Sequence, residues 1–587
     1  MTAQIFGRYR RPSIAVSTIL IIVTVLFAWP VVMIVVGAFR TGTPGLSGSW
    51  SLESITATFG DRATGTTLLN SAVYTSATAI IAGIMALFFA FVVARTDTPL
   101  KGLVTPAMLI VLAVPPLFFG IGWVLAGGEY AGLLNQAVQW IGFENARPFN
   151  VESWPGLIFV SALKLTSLCY FLLLGPFLAM NAAQEEAALT AGAGKLRLFF
   201  TVTIPALAPA VLSTFVLALV LGLEFFDLPL ILGTADGIEV FATQIYHNLN
   251  NFDPPNYCGS SALAIILIAV LAVLLFIQSR ILAGRQFTTV SGKLRNRPAW
   301  NLGKWKWVTS AAIVAYLVLA LALPVFQLVI GSMQSFLGIY QNFSLDNYTE
   351  IFNDPKSMSA LQTTTVLALG CGLGVMVLAL GITYVMRHFK GATERYVRMV
   401  TWLPWAVPGT ALVLGIIWAY LSVPQLRFLY GSVTLLIIGL VIAATPIAVR
   451  SLEPAILQIG RELEEAAWTS GLPKGRAFIL VTARLVLPSF IAGWVLAGLV
   501  IAGNLAVPLM LSNVDTQTVP VLALSLYNNG NQPKAAALFC LIAAVLVVGY
   551  LLVLLARRIL VRIASATVRD HSSTVPIAET TPILTKG

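Results

Sequence analysis

Two eleven-residue stretches of the chain carry nearly the same charged and small residues. The first, EEAALTAGAGK, runs from 185 to 195, and the second, EEAAWTSGLPK, runs from 464 to 474. Each combines adjacent carboxylates, small alanines that permit close helix packing, a glycine and a lysine. This combination favours a mechanical role: a short helix that packs on another protein, followed by a turn at glycine, which takes up positive φ at little cost.

We therefore predict a partner-docking loop at 180–205 and a second one at 459–488. The candidate residues of the two loops are Glu185, Glu186, Ala187, Ala188, Gly192, Lys195, Glu464, Glu465, Ala466, Ala467, Gly471 and Lys474.

A second candidate set consists of charged residues inside apolar segments. Glu224 and Asp227 lie three residues apart in one apolar segment, so a continuous helix would place both on one face. Lys164, in the preceding apolar segment, is predicted to lie at a similar depth. Charges within a bilayer are costly and face a cavity or a partner. Two interpretations stay open: an ion pair between Lys164 and one carboxylate, or a carboxylate that faces a transport path and favours a cation.

The composition places these residues in a membrane protein. Of 587 residues, 58% are hydrophobic and 10% are charged, and the mean hydropathy is +0.88, whereas soluble domains are about 25% charged. At about 20 apolar residues per span, we predict an all-α polytopic membrane protein with about twelve transmembrane helices. The predicted spans are 13–38, 67–94, 103–127, 154–178, 206–232, 259–283, 307–331, 361–386, 398–422, 431–449, 488–512 and 534–556.

The basic residues predict the orientation of these spans. Twenty-eight Lys and Arg residues fall on the side that holds both termini, 6 fall on the other side, and Lys164 lies within a span. The positive-inside rule then places both termini in the cytoplasm. The net charge of +11 is explained by this topology and does not indicate nucleic-acid binding.

The chain contains an internal repeat. An offset of 279 residues relates the two docking loops and also Pro209 to Pro488, and an offset of 292 relates Arg95 to Arg387. Two six-helix halves that enter from the same side are parallel repeats with a path between them. We assign 1–283 to the first half, 284–306 to a basic cytoplasmic linker, 307–564 to the second half and 565–587 to a disordered tail.

The repeat also predicts an asymmetric path. At the positions equivalent to Glu224 and Asp227, the second half has Gly503 and Ala506. Asn504 is the polar residue that remains there, so it completes the candidate set for the path.

The docking loops resemble the EAA loops of bacterial ABC importer permeases, whose pattern is E-A-A-x3-G-x9-[IV]-x-[IL]-P. The first loop fits this pattern from Glu186 to Pro205. The second keeps Glu465, Gly471 and Val481 but has Arg484 at the proline position. Since two such loops occupy equivalent places in a repeated chain, the chain resembles a fused permease with two repeats of the type I importer architecture.

That resemblance implies partners. In the family the loop is a helix that docks in a groove of an ATP-hydrolysing subunit. The chain has no GxxxxGK[ST] phosphate loop, so we expect two copies of a separate ATPase subunit that use ATP and Mg²⁺. We also expect a separate extracytoplasmic solute-binding protein, no cofactor bound by this chain and no enzymatic activity of its own.

The resemblance narrows to fused permeases for ferric iron, thiamine, polyamines and aminoalkylphosphonates, through stretches such as LGLEFFDLPLILG at 221–233. Ferric iron is the leading substrate and the others are alternatives. A secondary transporter of the major facilitator type also has two parallel halves, but the loop at 94–102, ARTDTPLKG, lacks its signature. A membrane-embedded enzyme is a third class, without a catalytic cluster to support it. Histidines at His247, His388 and His571 lie in different segments and do not indicate a metal site.

Overall fold

Helices make up the regular structure of this protein. The computed structural model describes residues 14–143, 145–180, 182–283, 300–340, 342–389 and 391–572, and every regular element within them is a helix. Most of the predicted linker, 284–299, and the end of the predicted tail, 573–587, lie outside the described residues. The chain divides into two units, residues 1–540 and 541–587, and the second holds the C-terminal part of the last helix.

Long apolar runs form helices because a backbone without water nearby must satisfy its N–H and C=O groups internally. In the described residues, 9 helices are long and apolar enough to cross a membrane, or up to 12 if each of three bent pairs counts as one span. This confirms the predicted all-α polytopic fold.

The first half contains α1 to α11. Their bounds are α1 Val16–Ala38, α2 Glu53–Gly60, α3 Arg62–Arg95, α4 Lys101–Ala113, α5 Pro116–Gly127, α6 Leu133–Trp140, α7 Trp154–Ala179, α8 Ala182–Thr190, α9 Phe199–Glu224, α10 Phe241–Asn250 and α11 Tyr257–Ile281.

The second half contains α12 to α23. Their bounds are α12 Trp305–Gly331, α13 Asp346–Asn353, α14 Pro355–His388, α15 Ala392–Trp405, α16 Gly409–Leu421, α17 Val433–Gln458, α18 Arg461–Thr469, α19 Gly475–Ala483, α20 Leu487–Ala502, α21 Ala506–Leu511, α22 Val519–Asn528 and α23 Gln532–Ser572.

Two spans that were predicted as continuous are sharply bent. The pair α4 and α5 turns by 103°, and the pair α15 and α16 turns by 112°. Each bend precedes a proline: Val114 and Val407 are extended, with ψ near 124° and 121°, before Pro115 and Pro408. A proline ring disfavours the helical conformation of the residue before it, so each helix must stop there.

The helix that carries Glu224 is also interrupted. Helix α9 ends at Glu224, and Phe225 is extended with ψ 122°; α20 ends and α21 restarts at the equivalent place in the second half. The prediction that Glu224 and Asp227 share one face of a continuous helix was therefore wrong. The cause is Pro229 and its repeat partner Pro508, because a proline ring clashes with the carbonyl four residues earlier, which falls within each break.

The first spans of the two halves are exchanged. Helix α1 packs on α16, where a Cβ on Gly415 would lie 2.5 Å from the carbonyl oxygen of Pro30. Helix α12 packs on α5, where a Cβ on Gly122 would lie 2.7 Å from the carbonyl oxygen of Pro324. Only glycine permits such close approach of two backbones, so the halves are interlocked rather than placed side by side.

Candidate functional site

The two predicted docking loops form matching short helices, α8 and α18, which we call the loop helices. Each ends two residues before the glycine of its motif, at Thr190 and Thr469, and the glycines Gly192 and Gly471 have φ +83° and +86°. The N–H groups of Gly192 and Gly471 bond to Leu189 and Trp468 carbonyls at 3.0 Å each. A left-handed glycine with returning N–H bonds is a common helix C-terminus. The turn expected at both glycines is thus present in the structure.

The first loop helix is held by a buried ion pair. Glu185 is fully buried; its Oε2 lies 3.4 Å from Nη2 of Arg95, and its Oε1 accepts a hydrogen bond of 2.9 Å from Thr203. Arg95 also donates to the carbonyl of Met180 at 3.2 Å. Glu185 thus joins the loop helix to the end of α3 and to the start of α9, and Arg95 joins α3 to the segment after α7.

The second loop helix is held in the same way, with one further partner. Oε1 of Glu464 lies 3.1 Å from Nε of Arg387 and accepts a hydrogen bond from Thr482. Arg387 also donates to the carbonyl of Ile459 at 3.1 Å. The extra partner is His388, whose Nε2 lies 2.8 Å from Oε2 of Glu464. The two clusters repeat residue for residue at the offsets found in the sequence, and His388 makes them unequal.

These partners were not predicted from the sequence. Arg95 and Arg387 served there only as markers of the repeat, and His388 was considered only as a metal ligand. A usable signal was present, because Thr203 and Thr482 are also polar residues that recur at the offset of the loops. Polar side chains kept in both copies beside a motif are candidates for contact with it.

The loop motif is divided between an inward and an outward side. Glu185 and Glu464 point into the chain, whereas Glu465, Ala187 and Ala466 are exposed. Ala188 and Ala467 are half-buried at the boundary. The side chains of Glu186 and Lys474 lie outside the described part of the structure. A partner can therefore reach the outward residues of each loop helix, while the first glutamate of each motif is occupied within this chain.

Lys195 connects the first loop to the end of the predicted linker. Its Nζ donates to the carbonyl of Asn301 at 2.5 Å. The neighbouring residues are also fixed: the N–H of Trp300 bonds to the carbonyl of Arg95 at 3.1 Å, and that of Leu302 bonds to Asp97 at 2.9 Å. The end of the predicted linker is thus attached to the first docking region.

Lys164 is used to stabilise the bend between α4 and α5. Its buried ammonium donates to the carbonyls of Val111, Leu112 and Val114, the latter two at 3.2 and 2.5 Å. These carbonyls lack helical partners because the helix stops at the bend. Among the described residues no salt bridge joins Lys164 to Glu224 or Asp227. The expected ion pair is therefore not formed in this structure.

Unlike Lys164, Glu224 has a buried side-chain atom without a hydrogen-bond partner in the part of the chain that the structure describes. Its Oε1 is buried and has no hydrogen-bond partner in the described residues. Asn504, by contrast, has a structural role, since its Oδ1 accepts a hydrogen bond of 3.0 Å from the N–H of Val507 in the first turn of α21. Beside it, a Cβ on Gly503 would lie 2.7 Å from the ring of Pro115. The break in the second half therefore contacts the bend in the first half.

The arrangement supports movement rather than bond chemistry. The glutamate of each loop helix makes buried polar contacts with the end of a long membrane helix, α3 or α14, and with the helix that follows the loop, α9 or α19, so a displacement of the loop helix acts on both. In the described residues no group of three or more His, Cys, Asp or Glu side chains is placed to hold a metal ion.

Comparisons with known proteins agree with this architecture. The family described as "Binding-protein-dependent transport system inner membrane component" matches residues 83–288 and 373–563, one segment in each half. The ferric transport system permease protein FbpB of Actinobacillus pleuropneumoniae is 21% identical over 528 residues, which cover 89% of this chain and 75% of the relative.

Two further relatives and one solved structure are similar. A putative ferric transport system permease protein of Haemophilus influenzae is 23% identical over 66% of this chain and 61% of its own length. A probable ABC transporter permease protein of Sinorhizobium fredii is 26% identical over 84% of this chain and 87% of its own length. A bacterial ABC transporter involved in alginate import matches 46% of this chain at a TM-score of 0.39 and 17% identity. With a family match in both halves, the chain belongs to the binding-protein-dependent transport system inner membrane components, as a fused, two-repeat permease of the ABC importer class.

Proposed function

We propose that this chain moves ferric iron across the cytoplasmic membrane by alternating access. A separate solute-binding protein delivers the iron, and two ATPase subunits, which use ATP and Mg²⁺, drive the cycle. The observation that carries the coupling is the pair of loop helices, each fixed inside by a buried glutamate, Glu185 or Glu464, and exposed on its outer side. Both termini and both loop helices then face the cytoplasm, as the basic residues predict.

The coupling follows from the contacts of each loop helix. When the ATPase subunits close, they displace the outward side of α8 and α18. Because the Glu185–Arg95 and Glu464–Arg387 pairs are buried, they yield less easily than solvated pairs, and the displacement reaches α3 and α14. Both are 34-residue helices, which are about 50 Å long at 1.5 Å per residue. The displacement is therefore carried through the bilayer.

The path is proposed to pass the breaks where the halves meet. Glu224 ends α9 with a buried oxygen that lacks a partner, and an unpaired carboxylate at membrane depth favours a cation. Gly503 lies at the equivalent break in the second half and contacts Pro115, which lies at the bend between α4 and α5 in the first half. Two relatives named for ferric transport support iron as the cargo. Sulfate permeases also match over about a third of the chain.

The test is uptake by proteoliposomes that contain the chain, its ATPase and its binding protein. We expect ATP-dependent uptake of radioactive ferric iron that an imposed proton gradient cannot replace. Glu224→Gln should lower this uptake at least tenfold without changing the melting temperature, and Asp515→Asn, an exposed outer carboxylate, should leave uptake unchanged. If polyamine, thiamine or aminoalkylphosphonate enters with ATP and iron does not, the importer role stands and iron is refuted.

A further inference from the structure

A polar cavity lies at the opposite end of the first half from the loop helices. It has a volume of about 520 Å³ and is formed by α2, the start of α3, α10 and the start of α11. Helix α3 runs 34 residues from this cavity to Arg95, which is about 50 Å at 1.5 Å per residue. The cavity therefore opens on the face that the topology assigns to the outside.

The lining carries negative charge without a basic residue. Glu53 and Asp61 contribute carboxylates, and the residues that line the cavity include no lysine or arginine. Oδ1 of Asp61 accepts a hydrogen bond of 3.0 Å from the N–H of Ala63 as the cap of α3, which leaves its second oxygen for other contacts. A positively charged group is the occupant that this lining attracts.

A buried acceptor points to a ligand independently of the charges. Gln244 lines the cavity and is only 6% exposed, yet its Oε1 has no hydrogen-bond partner in the described residues. A buried polar atom left without a partner costs roughly 1–3 kcal/mol, so a site that keeps one gains when a donor arrives. Asn248 and Asn256 add amide groups beside it.

The mouth of the cavity is aromatic. Phe252 belongs to the lining and is 57% exposed, and the face of an aromatic ring attracts ammonium and guanidinium groups. The volume falls within the roughly 300–1,000 Å³ of small-molecule sites. The described residues hold no cluster of three His, Cys, Asp or Glu side chains suited to a metal, which favours an organic cation over a bare metal ion.

We propose that this outer cavity binds a small organic cation with an ammonium or guanidinium group. Glu53 and Asp61 neutralise the charge of the cation, Oε1 of Gln244 accepts a hydrogen bond from one of its N–H groups, and Phe252 covers it. The site is built from the first half alone and is separate from the breaks at Glu224 and Gly503. It is thus a binding site in addition to the proposed path.

The test uses the purified full chain in lipid nanodiscs, with agmatine as the probe because it carries both cationic groups. Titration calorimetry should show saturable binding at one site per chain. The double variant Glu53→Gln/Asp61→Asn should weaken binding at least tenfold, and Gln244→Met should weaken it several-fold. The matched double variant Asp236→Asn/Asp515→Asn, which removes two exposed carboxylates away from the cavity, should bind as the unaltered chain does.

Thermal unfolding of each variant without agmatine checks that the fold is kept. Absence of saturable binding to the unaltered chain would overturn the proposal, and so would equal weakening by the two double variants. If agmatine does not bind but Glu53→Gln/Asp61→Asn weakens association of the solute-binding protein, the cavity is a protein contact and the proposal is also wrong. Because the assay needs neither ATPase nor iron, its result is independent of the proposed transport function.

Discussion

The buried pair of Glu185 and Arg95 gives the sharpest test of how the loop helices act. Glu185→Gln keeps the shape of the side chain but leaves Arg95 with a buried charge and no carboxylate. Removing one member of a buried ion pair costs about 3–5 kcal/mol. With about 1.4 kcal/mol per factor of ten, even 3 kcal/mol shifts the attachment of α8 toward release by roughly 100-fold.

The consequence is a specific functional defect. If the pair passes displacement from the ATPase to α3, its loss should uncouple the two activities. In proteoliposomes we expect ATP hydrolysis stimulated by the loaded binding protein to persist in part, while solute uptake per ATP falls at least tenfold. Asp515→Asn, which removes an exposed carboxylate that lies outside both loop helices, is the control and should behave as the unaltered protein.

A double variant separates the pair from a general loss of stability. Replacing both members by apolar residues, as in Glu185→Leu/Arg95→Met, removes the buried charges together, and such replacements are often neutral or stabilising. The double variant should therefore melt higher than either single variant, and the interaction energy follows from the double-mutant cycle. Unchanged uptake per ATP in Glu185→Gln, or additive losses in the cycle, would contradict a coupling role for this pair.

Three further predictions follow from other contacts. Glu464→Gln should lower the melting temperature of the purified chain more than Glu185→Gln does, because Arg387, His388 and Thr482 all lose an ionised acceptor; equal shifts would mean that His388 adds nothing. Lys164→Met should destabilise the chain by several degrees in the same assay, since three carbonyls at the bend between α4 and α5 lose their donor at roughly 1–3 kcal/mol each; a melting temperature equal to that of the unaltered chain would contradict the assigned role. Gly503→Ala should reduce uptake several-fold, because its Cβ would lie 2.7 Å from the Pro115 ring, whereas Gly370→Ala, with open space around the added Cβ, serves as the control; equal uptake in the two variants would contradict a tight contact between the halves.

Much of the architecture is local in origin and could be predicted. A run of about 20 apolar residues must be helical in a membrane, so the number of spans follows from composition. The repeat is visible because the same residues recur at fixed offsets, and the turns at Gly192 and Gly471 follow from a glycine at the end of a short helix. The breaks before Pro229 and Pro508 were also within reach, since the offset of 279 residues that relates the two loops also relates these prolines.

The partners of the charged side chains depended on tertiary structure. The sequence placed Lys164 and Glu224 at similar depth, but depth along a span does not determine rotation about its axis or the path of the next helix. Only the folded chain shows that the bend at Val114 presents free carbonyls to Lys164. Likewise, Glu185 and Glu465 belong to similar acidic pairs, yet one is buried and the other exposed. Helical periodicity fixes the angle between neighbouring side chains, whereas the packing of distant segments decides which of them faces the protein.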